Sequence, residues 1–110
     1  MQIAQLAGKD QAASITAHRS RDGRTLVLQA RRPVLAGPSQ SYELWVIPAE
    51  GGDPISVAVL GSLDAKFVVP RAQAERLRPG ATLAVSVEPA GGSPTGKPTG
   101  PVILSGRITG

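Results

Sequence analysis

The sequence has no cysteine, one histidine and three aromatic residues in 110 positions. Without cysteine there are no disulfides, no thiolate metal sites and no cysteine nucleophile. The single histidine, His18, falls on the polar side of a predicted strand beside Arg19 and Arg21, and no nucleophile is assigned to it by spacing. It reads as a solvated strand histidine, and no catalytic residue is expected. The eight acids are scattered and mostly in predicted turns, so no metal ligand set and no cofactor are expected. Tyr42, Trp45 and Phe67 are the only aromatics, too few for the stacking platforms of single-strand nucleic-acid binding or for a row of sugar-binding rings. No apolar run approaches the roughly 20 residues that cross a bilayer. The opening "MQIAQLAGKDQ" lacks the charged and apolar regions of a signal peptide, so the chain by itself is expected to be soluble.

Twelve Lys and Arg against eight Asp and Glu give a net charge of +4, which favours an anionic neighbour. The positive charges are spread, from Arg19, Arg21, Arg24, Arg31 and Arg32 to Arg71, Arg76 and Arg78, and nucleic acid is not an expected partner. One domain of this length buries about 65% of its unfolded surface and folds without staples.

Periodicity along the chain is two rather than 3.6. Ala13, Ile15 and Ala17 alternate with polar neighbours, as do Leu26, Leu28 and Ala30, and again Leu83, Val85 and Val87 against Thr82, Ser86 and Glu88. Further strands are predicted at "YELWVI", "ISVAVL", 65–69 and 102–108, with one more around Ile3 to Ala7. Asp22-Gly23 has the chemistry of a tight hairpin with positive φ at both central positions, and "PAEGGDP" (48–54) marks a second hairpin. A single short helix is predicted near 70–78, started by Pro70 in its first turn, stopped by Pro79-Gly80, and with Arg76 and Arg78 complementing its dipole. Seven to eight short strands and one small helix define an all-β fold, expected as an antiparallel β-sandwich of immunoglobulin size.

Residues 88–101, "EPAGGSPTGKPTGP", form neither helix nor regular strand. Ser93-Pro94-Thr95-Gly96 and Lys97-Pro98-Thr99-Gly100 repeat an x-Pro-Thr-Gly unit with type I turn chemistry, so two turns in series are expected. Residues preceding proline are restricted to extended conformations, which makes the loop stiff and lowers the entropy of ordering it. Glu88, Pro94, Thr95, Gly96, Lys97, Pro98, Thr99 and Gly100 are therefore the candidate interaction loop.

In "YELWVIP", Tyr42, Leu44 and Val46 face one way while Glu43, Trp45 and Ile47 face the other, so this strand is expected to be central and covered on both sides. Tyr42, Leu44 and Trp45 are the candidate packing residues. Two placements of Trp45 follow: beneath the stiff loop folded back over it, or in an ordinary sandwich core.

Taken together, "YELWVIPAEGGDPISVAVL" and "LRPGATLAVSVEPAGGSPTGKPTGPVILSG", with their order and spacing, resemble the C-terminal, extracytoplasmic domain of anti-sigma-K (RskA-like) anti-sigma factors. The resemblance is close over about 40–107 and looser before it. It implies a non-enzymatic regulatory domain on the periplasmic side of the inner membrane. A membrane helix and a cytoplasmic sigma-binding domain would precede it, and both are missing from this sequence, which reads as the trimmed soluble part. The implied partners are a sigma factor, reached only through the missing domain, a site-one protease whose cut leads to sigma release, and an envelope ligand or protein. Residue 1 would lie just beyond the membrane, a setting that suits a basic domain near anionic lipid. The segment Gln2 to Gln11 would be the stalk that the fold denies to the protease. A structural spacer, a homodimerisation module and an envelope- or carbohydrate-binding sandwich are the alternatives, and the oligomeric state stays open.

Overall fold

The computed structural model describes residues 1–8, 14–30 and 35–109. Ala13, Gln11, Asp10, Arg31 and Arg32, invoked above, lie outside the described residues. The elements are β1 (Gln2–Ala7), β2 (Ser14–Arg19), β3 (Thr25–Ala30), β4 (Gln40–Ile47), β5 (Ile55–Leu60), β6 (Ala65–Val68), α1 (Arg71–Ala74), β7 (Thr82–Pro89) and β8 (Val102–Arg107). The all-β class, the strand number and the N-terminal strand follow the sequence expectation. The layering differs from a sandwich of two sheets, because all pairings are antiparallel within one sheet of order β5-β4-β7-β8-β1-β2-β3-β6.

Connectivity forces that sheet to curl. Its two edges, β5 and β6, are consecutive in the chain and joined only by residues 61–64. Such a connection spans at most about 18 Å. Seven strand spacings laid flat would span roughly 34 Å. The sheet therefore closes on itself into a nearly complete flattened barrel measuring 33 × 30 × 25 Å. Alternate residues point inward, and Leu6, Ile15, Leu26, Leu28, Leu44, Leu83 and Leu104 are all at most 2% exposed in one shared core.

β1 sits inside the sheet, between β8 and β2. Ile3, Ala4 and Leu6 are buried, and a bulge at Ile3 lets both Ile3 and Ala4 turn inward. On its other side β8 approaches so closely that a Cβ on Gly106 would stand 2.0 Å from the Gln5 carbonyl oxygen. The Thr109 amide donates to Ile3 O at 2.9 Å and fastens the end of β8 to the same strand.

Two local expectations change. The helix is one turn, Arg71–Ala74, with Pro70 outside it as the N-cap (φ −56°, ψ 145°). It stops early because the chain turns Leu77 into the core (3% exposed), while Arg19 donates to the Ala74 and Leu77 carbonyls at 2.9 and 3.0 Å. Arg76 and Arg78 consequently lie beyond the helix. The β2–β3 connection runs over 20–24 rather than being a two-residue turn. Gly23, at φ +75°, donates to Ser20 O at 2.9 Å, and the Asp22 carboxylate accepts from the Ser20 hydroxyl and the Arg24 amide. The 48–54 hairpin forms as expected, with Gly51 donating to Pro48 O and both Gly51 and Gly52 at positive φ.

Candidate functional site

The register of β4 against β7 is regular, pairing Ser41 with Glu88, Glu43 with Ser86 and Trp45 with Ala84. These residues share the outer face, opposite Tyr42, Leu44 and Val46, which belong to the inner core. A polar outer face ordinarily meets water. Here Ser41, Glu43, Ser86 and Glu88 are all buried, and Trp45 is fully buried although it lies outside the inner cluster.

The buried groups satisfy one another in a chain. The Trp45 indole Nε1–H donates to Ser86 Oγ at 2.8 Å, and the Ser86 hydroxyl donates to Glu88 Oε2 at 2.6 Å. Glu88 also accepts the Thr99 hydroxyl, the Thr99 amide (3.2 Å to each oxygen) and the Gly100 amide (3.3 Å). Glu43 accepts the Ser56 hydroxyl on one oxygen and the Ser93 amide, at 2.7 Å, on the other. Among the described residues no lysine or arginine pairs with either carboxylate. Hydrogen-bond donors therefore replace countercharge, which is the condition for holding a carboxylate out of water. Burial pushes the Glu88 carboxyl up, but the donors from Ser86, Thr99 and Gly100 outweigh it and hold the group below its ordinary value.

Residues 90–101 thus form a strap fastened at both ends: Ser93 to Glu43, and Thr99 with Gly100 to Glu88. A third tie is the Lys97–Asp53 ion pair at 3.6 Å, on the β4–β5 turn beyond Trp45. The Gly91 amide adds a bond to Ser41 Oγ at 3.0 Å. Neither Pro-Thr-Gly tetrad closes a backbone hydrogen bond of its own. Side chains close the first tetrad: Ser93 Oγ and Thr95 Oγ1 both donate to Lys97 O, and Thr95 Oγ1 receives the Lys97 amide. The two glycines serve different ends. Gly96 has φ +77° with open space around it, whereas Gly100 lies against the backbone, where a Cβ would fall 1.7 Å from Val87 O.

Pro94, Thr95, Gly96, Lys97 and Thr99 are exposed, while Pro98 and Gly100 are half-buried. Glu88 is the strap's buried anchor instead of part of its exposed surface. Tyr42 and Leu44 pack inward and Trp45 outward, among the strap's attachment points. Glu43, Ser86, Ser93 and Asp53 were not singled out by sequence. The alternation in β7 marked Ser86 and Glu88 as solvent-facing, yet their pairing opposite the only tryptophan strand was the available signal. His18 contacts Thr16 Oγ1 at 3.2 Å on its own strand. Among the described residues no three metal-ligating side chains gather, and no helix is long and apolar enough to cross a membrane.

The fold and this face define an all-β domain whose organised polar groups are occupied by its own loop. Over residues 1–102 the chain matches the family described as anti-sigma-K factor rskA, C-terminal, and it belongs to that family. The match makes it the C-terminal part of a regulatory, anti-sigma kind of protein, for which the implied partner is a sigma factor. Neither the curated proteins nor the solved structures gave a match.

Proposed function

We propose that this is the extracytoplasmic, periplasmic regulatory domain of a membrane-anchored anti-sigma factor, acting without catalysis by controlling when a protease reaches the segment next to the membrane. The observation that carries the reading is the position of β1. The segment nearest the proposed anchor is an interior strand with three buried side chains, paired to β2 and pressed against β8. A protease needs extended, accessible backbone, so cleavage there requires local opening of the sheet. A ligand or envelope protein binding the open or closed form differentially would set the rate of sigma release.

The strap is the proposed docking surface for that signal. Its exposed tip, Pro94 to Lys97, is already ordered by side-chain bonds, so binding costs little additional entropy. The same strap shields Trp45 and the two carboxylates. Deleting 93–100 in the complete protein, with a sigma-dependent reporter, is expected to alter the response to the inducing signal. An unchanged response would remove the strap from this role.

The uncharged edge strand β5, with Val59 46% exposed, favours a second reading as a homodimerisation or spacer module. Light scattering of the purified domain separates the two: a stable dimer through β5 supports the second.

A further inference from the structure

One end of the barrel is built from the starts of β1, β3, β5 and β7 and the ends of β2, β4, β6 and β8, together with α1. Among the described residues the basic side chains at that end are arginines, apart from Lys97, which reaches Asp53 there from the strap. Arg19 is occupied by the carbonyls of Gly23, Ala74 and Leu77. Arg21, Arg24, Arg71, Arg76, Arg78 and Arg107 are all exposed. Of the acids in the same region, Asp22 is tied into its own turn, Asp53 is engaged by Lys97, and Glu75 faces Arg71 at 3.9 Å. Glu50 lines a shallow concavity beside Arg76 and Arg78. The arginines therefore outnumber the acids that remain to neutralise them.

Two exposed apolar side chains stand on the rim of the same end. Met1 is 82% exposed and held there by paired bonds between its backbone and that of Arg19, at 2.8 and 3.1 Å. Val68 is 71% exposed, one residue before the bond from the Val69 amide to Arg24 O. Two open concavities lie on the surface between them, one lined by Met1, Arg19, Arg21, Leu77 and Ile108 and the other by Arg24, Arg71 and Glu75. A broad arginine-rich face edged with apolar residues fits an extended anionic interface better than it fits a small molecule.

We propose that this end docks on an anionic phospholipid surface, the arginine guanidinium groups meeting lipid phosphates while Met1 and Val68 enter the interface. Guanidinium forks match phosphate oxygens in pairs, and basic residues beside an anionic leaflet are drawn to it. The inference rests on the reading above, since an anchor preceding β1 turns the end that carries Met1 toward the bilayer. Docking would hold β1 against the membrane and hinder a protease on the side where that strand begins.

The test is sedimentation of the 110-residue chain with vesicles of phosphatidylcholine alone or with added phosphatidylglycerol, at low salt and at about 0.5 M salt, where charges are screened within a few ångströms. Retention is expected only with phosphatidylglycerol and only at low salt. R76E/R78E is expected to weaken it at least tenfold, and Q29E/Q40E, which adds negative charge at the opposite end of the barrel, less than twofold. Both variants change exposed residues, and matched thermal unfolding with the parent confirms that they fold. Retention independent of phosphatidylglycerol, equal losses in the two variants, no retention, or equally tight capture of a single-stranded oligonucleotide would each overturn the proposal. Absence of docking would leave the shielding of β1 standing, because that is read separately by cleavage of β1 in the vesicle-free domain.

Discussion

Trp45 and Ser86 meet across neighbouring strands with an indole-to-hydroxyl distance of 2.8 Å, and through Ser86 the tryptophan is linked to Glu88, the anchor of the strap. A buried indole N–H and a buried carboxylate thus share one hydroxyl. Ser86→Ala removes a partner from both and is expected to cost about 2–3 kcal/mol, more than an isolated hydrogen bond. Denaturant unfolding measures it, and a loss below about 0.5 kcal/mol would mean that the bonds contribute little.

The same arrangement makes Trp45 a reporter of the strap. Its fully buried indole should emit at short wavelength, and deleting 93–100 should shift emission to the red and admit a neutral quencher. An unaltered spectrum in a folded deletion variant would show that the strap does not cover this face.

Glu88 gives a pH dependence with a definite sign. Its carboxyl lies below the ordinary value in the folded domain, so the stabilisation it contributes is present above the unfolded glutamate range, near pH 4.3, and is lost as pH falls below it. Glu88→Gln should be less stable than the parent at pH 7, since the amide presents N–H groups to a site that supplies only donors. The gap should narrow below about pH 4, as the parent loses its carboxylate. Thermal unfolding of the pair between pH 7 and 3 checks both statements, and a gap that widens in acid would contradict them.

The two Pro-Thr-Gly glycines are expected to respond differently to alanine. At Gly96 the cost is the strain of positive φ alone, about 1–2 kcal/mol. At Gly100 the added methyl meets Val87 O in the backbone, so the strap must leave its seat. Gly100→Ala should therefore release the strap and expose Trp45, whereas Gly96→Ala should leave emission unchanged.

Arg19 closes the helix end, the β2–β3 turn and the N-terminal strand together. Arg19→Lys retains the charge but replaces a fork that reaches three carbonyls with a single point donor. A loss of about 1–3 kcal/mol, with faster proteolysis around 71–78, is expected; stability equal to the parent would reduce Arg19 to a surface charge.

Much of the fold was legible because its strands alternate cleanly. Ile15 and Ala17, Leu26 and Leu28, and Leu83 and Val85 each declare an inner face, and the turns carry glycine where φ is positive. Curling into one sheet was not legible, because it follows from β5 and β6 standing at opposite edges while being joined by four residues, and pairing order leaves no trace in local pattern. Helix length was overestimated, because the core position of Leu77 and the reach of Arg19 from fifty-odd residues away decide it. On the strap face the turn-forming prolines and glycines of the loop and the bulk of Trp45 could be read directly. The roles of Glu43, Ser86 and Glu88 could not, since alternation assigns polar residues to water unless something covers them, and the cover is the loop itself.

The central claim is that β1 is sealed within the sheet and becomes cleavable only when the sheet opens. Hydrogen exchange resolved to β1 in the native domain, repeated in Gly106→Ala, where the new methyl collides with Gln5 O, tests it most directly. The account predicts that the parent's β1 amides exchange at least ~10³-fold more slowly than free peptide and that the variant loses protection first in β1 and β8. Near-free exchange of β1 in a domain whose other strands stay protected would contradict it.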